Sequence, residues 1–304
     1  MRWAVPEAEF MDPGTLGCQG CGGALSMRHV LKELGDDAVA VLPACCWSII
    51  DGPWPVHALE IPVFHTAFET AAVVATGVKA AKQAKGKDTT VVAWAGDGGT
   101  FDIGLQALSG AAERNEDIVF VCYDNEAYMN TGIQRSSATP AGTWTTTTPD
   151  QRPEPRPKKD IMAIMAAHRI PYAATATTAY PQDLARKVRT AVAMKGGLRF
   201  LHLLSACPPG WKIPADQAIE AMRRAVRCNV FPLFEVRDGR ETTITVFPRD
   251  PLPVEDYFSL QGRFKPLLAD PEMLDAVRAG VTERWESLVE RHDRTRDRMA
   301  AAAT

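Results

Sequence analysis

Two sets of residues in this 304-residue chain have the types and spacing that phosphate and metal chemistry need. The first is Gly96-Asp97-Gly98-Gly99, answered about thirty residues later by Asn125. A carboxylate, an amide oxygen and a nearby backbone carbonyl make an incomplete oxygen shell of the kind Mg²⁺ takes, its other positions going to water and a ligand's phosphates. Glycines let a phosphate approach the backbone, and a helix that follows offers it unpaired N–H groups. The second set is sulfur: Cys18 and Cys21 in GCQGCG, Cys46 in ACCW and Cys207 in SACPPGW. A CxxC with two distant cysteines fits a Cys₄ zinc site or a cubane iron–sulfur cluster, and spacing alone does not separate them.

The elements that must position these residues are legible around them. Thr89 to Ala95 is an apolar, β-branched run, Ile103 to Arg114 carries Leu105, Leu108 and Ala112 at helical spacing, and Ile118 to Tyr123 is a second apolar run. A strand, a crossover helix and a strand of these lengths predict a right-handed βαβ unit in a parallel sheet. Both polar turns then leave the carboxyl ends of strands, where open α/β sheets bind ligands. Asp97 and Asn125 therefore share a crevice, and the physical reading is a diphosphate held through a divalent ion. The CxxC precedes a helix with Met27, Val30, Leu31 and Leu34 on one face and a stop at Gly35. Strands at Ala38 to Leu42 and Phe200 to Leu204 deliver Cys46 and Cys207 to the same edge. The expected fold class is α/β, a doubly wound, mainly parallel sheet with a carboxyl-terminal extension.

The remaining pattern is coarser. Phe64 to Lys85 reads as one long helix, with Lys79, Lys82 and Lys85 on a solvated face near its end. Residues 131–148, rich in small and hydroxyl side chains, are expected to close over the cofactor, and 149–160 to form a charged surface segment. His65, His168 and His202 show no partner in the sequence and read as packing or surface residues. Helices are expected over 161–168 and 181–195, with a short strand at 172–175 between them. Residues 1–212, opening on an extended arm of about seventeen residues, form the domain that carries the chemistry. Residues 213–304 form the extension, with a helix at 215–227, a strand pair and a charged helical tail, packed on that domain or on a partner subunit.

Composition narrows the class. A net charge of −3 offers no basic excess for nucleic acid, and 46% hydrophobic residues suit a globular domain. No run of eighteen apolar residues predicts a membrane span, and the amino terminus lacks the layout of a secretory signal, so the expected location is cytoplasmic. In a reducing compartment the seven cysteines read as thiols or metal ligands rather than a disulfide framework, with Cys122 and Cys228 as packed thiols.

Gly96-Asp97-Gly98 followed by Asn125 resembles the thiamine-diphosphate signature of the transketolase and pyruvate-decarboxylase superfamily. The fuller string YDNEAYMNTGIQRS, Tyr123 to Ser136, together with the cysteine pattern, resembles the β subunit of the 2-oxoacid:ferredoxin oxidoreductases, especially the pyruvate type. That resemblance implies thiamine diphosphate seated at Gly96, Gly98 and Gly99. It implies Mg²⁺ on Asp97, Asn125 and the backbone carbonyl of Ala127, and Asn130 beside the reactive ring with Thr131 assisting. It also implies a [4Fe-4S] cluster on Cys18, Cys21, Cys46 and Cys207. Electrons released by oxidative decarboxylation need a one-electron acceptor, which zinc is not. Cys45 adjoins Cys46 and could ligate instead, but the family pattern favours Cys46.

The implied reaction is oxidative decarboxylation of a 2-oxoacid, the acyl group passing to coenzyme A and the electrons to ferredoxin. No glutamate here matches the one that activates the cofactor's aminopyrimidine, which in the family comes from the α subunit; γ- and δ-type subunits complete such assemblies. Between Cys46 and His65 the chain reads CWSIIDGPWPVHALEIPVFH, where the pyruvate type carries a Ser/Thr-Pro-Tyr-Pro run, so oxalate or an aromatic 2-oxoacid such as phenylglyoxylate stays open. A non-catalytic iron–sulfur or zinc scaffold is the reading of another class, against which the intact GDG, Asn125 and YMNTG stand. The resemblance runs from Gly17 to Trp211.

Overall fold

Along β3 (Thr90–Gly96), Val91, Ala93 and Ala95 face one hydrophobic core and Val92 and Trp94 face another. A strand buried on both faces is what a parallel sheet sandwiched between helices requires. A computed structural model of the chain describes residues 6–302; the first five residues of the expected arm lie outside them. Among the described residues, eight strands form one sheet in the order β2-β1-β3-β4-β6-β5-β7-β8. Their ranges are β1 Ala38–Pro43, β2 Val63–Thr66, β4 Val119–Asp124, β5 Tyr172–Thr177, β6 Arg199–Leu204, β7 Leu233–Arg237 and β8 Glu241–Val246. The pairs from β2 through β5 run parallel, and β7 and β8 join antiparallel at the far edge.

The helices Gly22–Leu34 and Pro181–Ala193 pack together on one face, and Ala71–Ala84 and Leu105–Glu113 on the other. The chain leaves β1 outward to β2 and then returns to β3 on the other side, so the winding reverses between β1 and β3. That reversal opens a crevice at the carboxyl ends of the strands. The turns after β1, β3, β4 and β6 carry Cys46, Asp97, Asn125 and Cys207 respectively. A third core, built by Trp211, Met222, Tyr257 and Phe264, fills the space beneath this edge with residues of the carboxyl-terminal third. The helix Pro271–Ala302 lies against β8.

Three expectations need correction. Residues 64–85 are not one helix, because Val63–Thr66 is an edge strand paired with β1 and the helix begins only at Ala71. Phe64 and His65 are exposed on that edge, so no apolar alternation marks it. Lys79 is buried rather than solvated, its Nζ 3.0 Å from Asp88 Oδ1, 3.1 Å from Asp117 Oδ2 and 3.2 Å from Thr89 O. Residues 149–160 are not simply surface, since Glu154 is buried between Arg135 and Arg156 and Lys158 reaches inward beneath the cofactor edge.

Candidate active site

Asp97 follows β3 directly and is buried. Its Oδ1 lies 3.0 Å from the side-chain amide of Asn125, and the same end of that amide lies 2.9 Å from Ala127 O. With its NH₂ turned inward the amide bridges the two oxygens; with its oxygen inward, three oxygens face one another, an arrangement that a cation between them would satisfy. The carboxyl, amide and carbonyl expected from sequence thus converge on one point. Burial, and then the charge of Asp124, push the Asp97 carboxyl well above its ordinary pKa, although Ser136 Oγ donates a hydrogen bond to its Oδ2.

The loop that carries Asn125 is held from several sides. Trp211 Nε1 donates to Asn125 O at 2.9 Å, and Thr139 Oγ1 donates to Glu126 O at 2.7 Å. Glu126 has φ +68 and its N–H donates to Asp124 Oδ1 at 2.9 Å. Beneath it Asp124 Oδ2 meets His202 Nε2 at 2.7 Å and the ammonium of Lys158, which also reaches Glu126 Oε1 at 2.8 Å. Burial opposes the Asp124 charge, but Lys158 and His202 outweigh it and hold that carboxyl below the usual range. The same two carboxylates outweigh burial at Lys158 and raise its pKa.

The turn after β3 widens into a π-helical turn at Gly98–Asp102, and at its start Phe101 N donates to Asp97 O at 2.7 Å. Such turns recur at functional sites. A Cβ at Gly98 would stand 2.2 Å from the Tyr128 ring, so close packing against that ring also requires the glycine. Tyr128 OH in turn donates to Asp102 Oδ2 at 2.8 Å. Gly96, Gly98, Gly99, Asp97, Asn125, Ala127, Asn130 and Thr131 all line one cleft of ≈ 190 Å³. Asn130 stands exposed at its mouth and makes no hydrogen bond among the described residues, whereas Thr131 Oγ1 is engaged with Gln134 Oε1 at 2.6 Å. Ala44, Cys45, Cys46, Ser48 and Phe68 complete the wall of the cleft.

The sulfur set adjoins this wall. Gly22 N donates to Ala206 O at 2.8 Å, tying the CxxC helix to the Cys207 turn, and a Cβ at Gly22 would stand 2.6 Å from Ala206 N. Burial, followed by the charges of Cys45, Cys207 and Cys21, pushes the Cys46 thiol up to about 12. Cys207 rises to about 11 through burial, eased by a backbone N–H at Gly210, with Cys21 and Cys18 adding to it. Cys21 Sγ accepts from Ala24 N at 3.4 Å. Cys45 is engaged with Tyr123 and Ser48 instead. Among the described residues, no three Cys, His, Asp or Glu side chains stand at ligating distance from one point.

The sequence missed several supporting residues. Ser136 and Trp211 close motifs already noted, but nothing local shows that they donate to Asp97 Oδ2 and Asn125 O; Lys158 and Arg263 reach the loop from distant segments that no local pattern marks. His202 was read as unpartnered, as were His65 and His168. His202 pairs with Asp124, His65 Nε2 lies 3.2 Å from Asp51 Oδ2, and His168 Nε2 lies 3.0 Å from Ser109 Oγ.

Three oxygen-bearing groups gathered at the switch point of a parallel sheet are the arrangement a cation-held diphosphate suits. Residues 53–203 match the family model of the thiamine pyrophosphate enzyme C-terminal TPP binding domain. The chain is 49% identical over 297 residues to the ketoisovalerate oxidoreductase subunit VorB of Pyrococcus furiosus, covering 94% of each chain. It is 49% identical over 267 residues to the pyruvate synthase subunit PorB of Methanothermobacter thermautotrophicus, covering 86% of this chain and 92% of that one. Among solved structures it resembles the 2-oxoglutarate:ferredoxin oxidoreductase from Magnetococcus marinus, with a TM-score of 0.58 and 25% identity over 74% of this chain and 82% of that one. The chain belongs to the β-subunit family of the 2-oxoacid:ferredoxin oxidoreductases. The likeness reaches into the carboxyl-terminal third, beyond the motifs that first suggested it.

Proposed function

We propose that this chain holds the diphosphate end of thiamine diphosphate and a [4Fe-4S] cluster in an enzyme that oxidatively decarboxylates a 2-oxoacid. The convergence of Asp97 Oδ1, the Asn125 amide and Ala127 O within 3.0 Å carries this reading. Three oxygen ligands from protein leave room for diphosphate oxygens and water around Mg²⁺, and the strained charge state of Asp97 is what a cation would relieve. The thiol edge fits a cluster by donor type, by the mutual field of Cys18, Cys21, Cys46 and Cys207, and by N–H groups already aimed at Cys21 and Cys207. Cys45, held by Tyr123 and Ser48, supports the choice of Cys46.

Bound thiamine diphosphate supplies the carbon nucleophile and electron sink for decarboxylation, and the cluster supplies a one-electron acceptor beside it. The chain's own part is to bind and orient. Asp97, Asn125 and Ala127 fix the diphosphate, and the buried Asp124 and His202 with the half-buried Lys158 hold their loop. Asn130 meets the substrate at the cleft mouth, with the Thr131 hydroxyl turned to Gln134 as its support. Cys46 lines the cleft itself, so electrons need not cross the domain.

Among the described residues no glutamate lines the cleft; in the proposed assembly an α subunit supplies the aminopyrimidine half-site, and γ- and δ-type subunits and ferredoxin complete the path. Coenzyme A takes the acyl group, and the enzyme works in the cytoplasm; no described helix is long and apolar enough to cross a membrane. Pyruvate is the first substrate reading. The apolar lining of Ala44, Phe68 and Met129, with the relatives named for ketoisovalerate, favours a branched-chain 2-oxoacid as the second. The test is ferredoxin reduction by the purified complex with pyruvate, 2-ketoisovalerate, oxalate and phenylglyoxylate in turn. Turnover that requires coenzyme A and thiamine diphosphate with an alkyl 2-oxoacid is expected; turnover without added or bound thiamine diphosphate would overturn the reading.

A further inference from the structure

Arg263 lies in the carboxyl-terminal third, in a short turn at Gly262–Phe264, and is buried with 1% exposure. Its guanidinium does two things at once. Nη2 forms an ion pair with Glu126 Oε2, between the two loop residues Asn125 and Ala127, and the guanidinium carbon lies 4.2 Å from the ring centre of Trp211. Trp211 closes the Cys207 turn, with Trp211 N donating to Cys207 O at 2.7 Å, and its indole N–H donates to Asn125 O. Nε is fixed by Gln261 Oε1 at 2.9 Å, and the Arg263 carbonyl accepts from Trp144 N at 2.8 Å. A planar guanidinium suits both tasks, one edge hydrogen-bonding and one face stacking, whereas a lysine ammonium has no planar face to stack while it pairs with the carboxylate.

We infer that Arg263 is a positioning residue that braces the Asn125–Ala127 loop against the Cys207 turn and so tunes how tightly Mg²⁺ and the diphosphate are held. The inference rests on the Mg²⁺ reading given above. Glu126 has φ +68, so its loop conformation is held from outside rather than by local preference. Lys158 grips the other carboxylate oxygen of Glu126 from the opposite side, and Arg263 completes the clamp. The carboxyl-terminal extension therefore acts on the cofactor through this one side chain, without touching it.

The test strips Mg²⁺ and thiamine diphosphate from the purified complex and titrates Mg²⁺ back at saturating thiamine diphosphate, reading bound thiamine. Arg263→Met is expected to raise the half-saturating Mg²⁺ concentration by roughly 10- to 100-fold, as loss of outer-shell support does elsewhere. Arg263→Lys should recover part of that loss, and Trp211→Phe, which keeps a ring for the stack but removes the N–H donor, should shift Mg²⁺ in the same direction. Thermal midpoints of the cofactor-free complexes report any purely structural role. A folded Arg263→Met with the wild-type Mg²⁺ requirement would overturn the inference; if Arg263→Met does not fold, Arg263→Lys decides, an unshifted Mg²⁺ requirement overturning it. A wild-type complex that takes up no thiamine diphosphate would overturn the underlying reading, a result distinct from unshifted variants.

Discussion

The oxygen site and the thiol edge occupy neighbouring turns of one sheet, yet they are built differently. Around Asp97 and Asn125 every ligand atom is already gathered, and buried partners on four other segments hold the loop. Along the thiol edge the backbone is fixed, through Gly22 N to Ala206 O and the Cys21 helix cap, but the sulfurs are not drawn together and Cys18 is exposed. On the proposed reading the first site stores electrostatic strain that a cation would relieve, and the second holds separate thiols that a cluster would gather, binding there being coupled to proton release. Preorganisation would then lie where an exchangeable ligand must be oriented, the prosthetic group supplying its own organisation.

The sharpest way to break the comparison is Asp97→Asn. Thiamine diphosphate binding should be lost while iron content stays at the wild-type level, and the cofactor-free protein should melt higher. The sign follows from linkage: the folded pKa of Asp97 lies above its unfolded value, so the folded state binds its proton more tightly. Its stability contribution is therefore fully present below the unfolded pKa and is lost as pH rises through the folded pKa, above which the buried charge is a burden. Thiamine analysis, iron analysis and calorimetry on one preparation decide it; a lower melting point would contradict the strain. Cys207→Ala is the converse, with iron lost and thiamine diphosphate retained, and loss of both would show that the sites are not separately built.

Lys158→Met probes the support rather than the ligands. It leaves Asp124 short of a cation and Glu126 with Arg263 alone, at a cost of about 3–5 kcal/mol. Chemical denaturation should report that loss, and wild-type stability would mean the buried network is not what holds the loop. The smallest effect belongs to Cys45→Ala, which should keep full iron content and lose about 1 kcal/mol of stability through a lost buried contact. Iron loss in this variant would move the fourth ligand from Cys46 to Cys45.

How much of this could be read in the sequence follows from how local each signal is. Asp97 and Asn125 stand out because each ends an apolar run, and the strand, the turn and the crossover helix all lie within one stretch. The cysteines are legible for the same reason, each following a strand end or opening a helix. Arg263 and Glu126 are 137 positions apart, and His202 and Asp124 are 78 apart, so neither pairing leaves a trace in periodicity. Lys79 misled because its acceptors Asp88 and Asp117 lie beyond its own helix, and an exposed lysine has the same spacing. β2 was hidden because an edge strand with Phe64 and His65 exposed carries no apolar alternation, and the Ala-rich helix that follows absorbed it.

The central claim is that both sites serve one reaction across a shared cleft wall. Low-temperature EPR of the anaerobically purified complex, before and after pyruvate or 2-ketoisovalerate and without coenzyme A, tests it most directly. The account predicts a radical or reduced-cluster signal that appears only with substrate and is absent from Asp97→Asn. A complex with bound thiamine diphosphate and iron that gives no signal with any 2-oxoacid would contradict it.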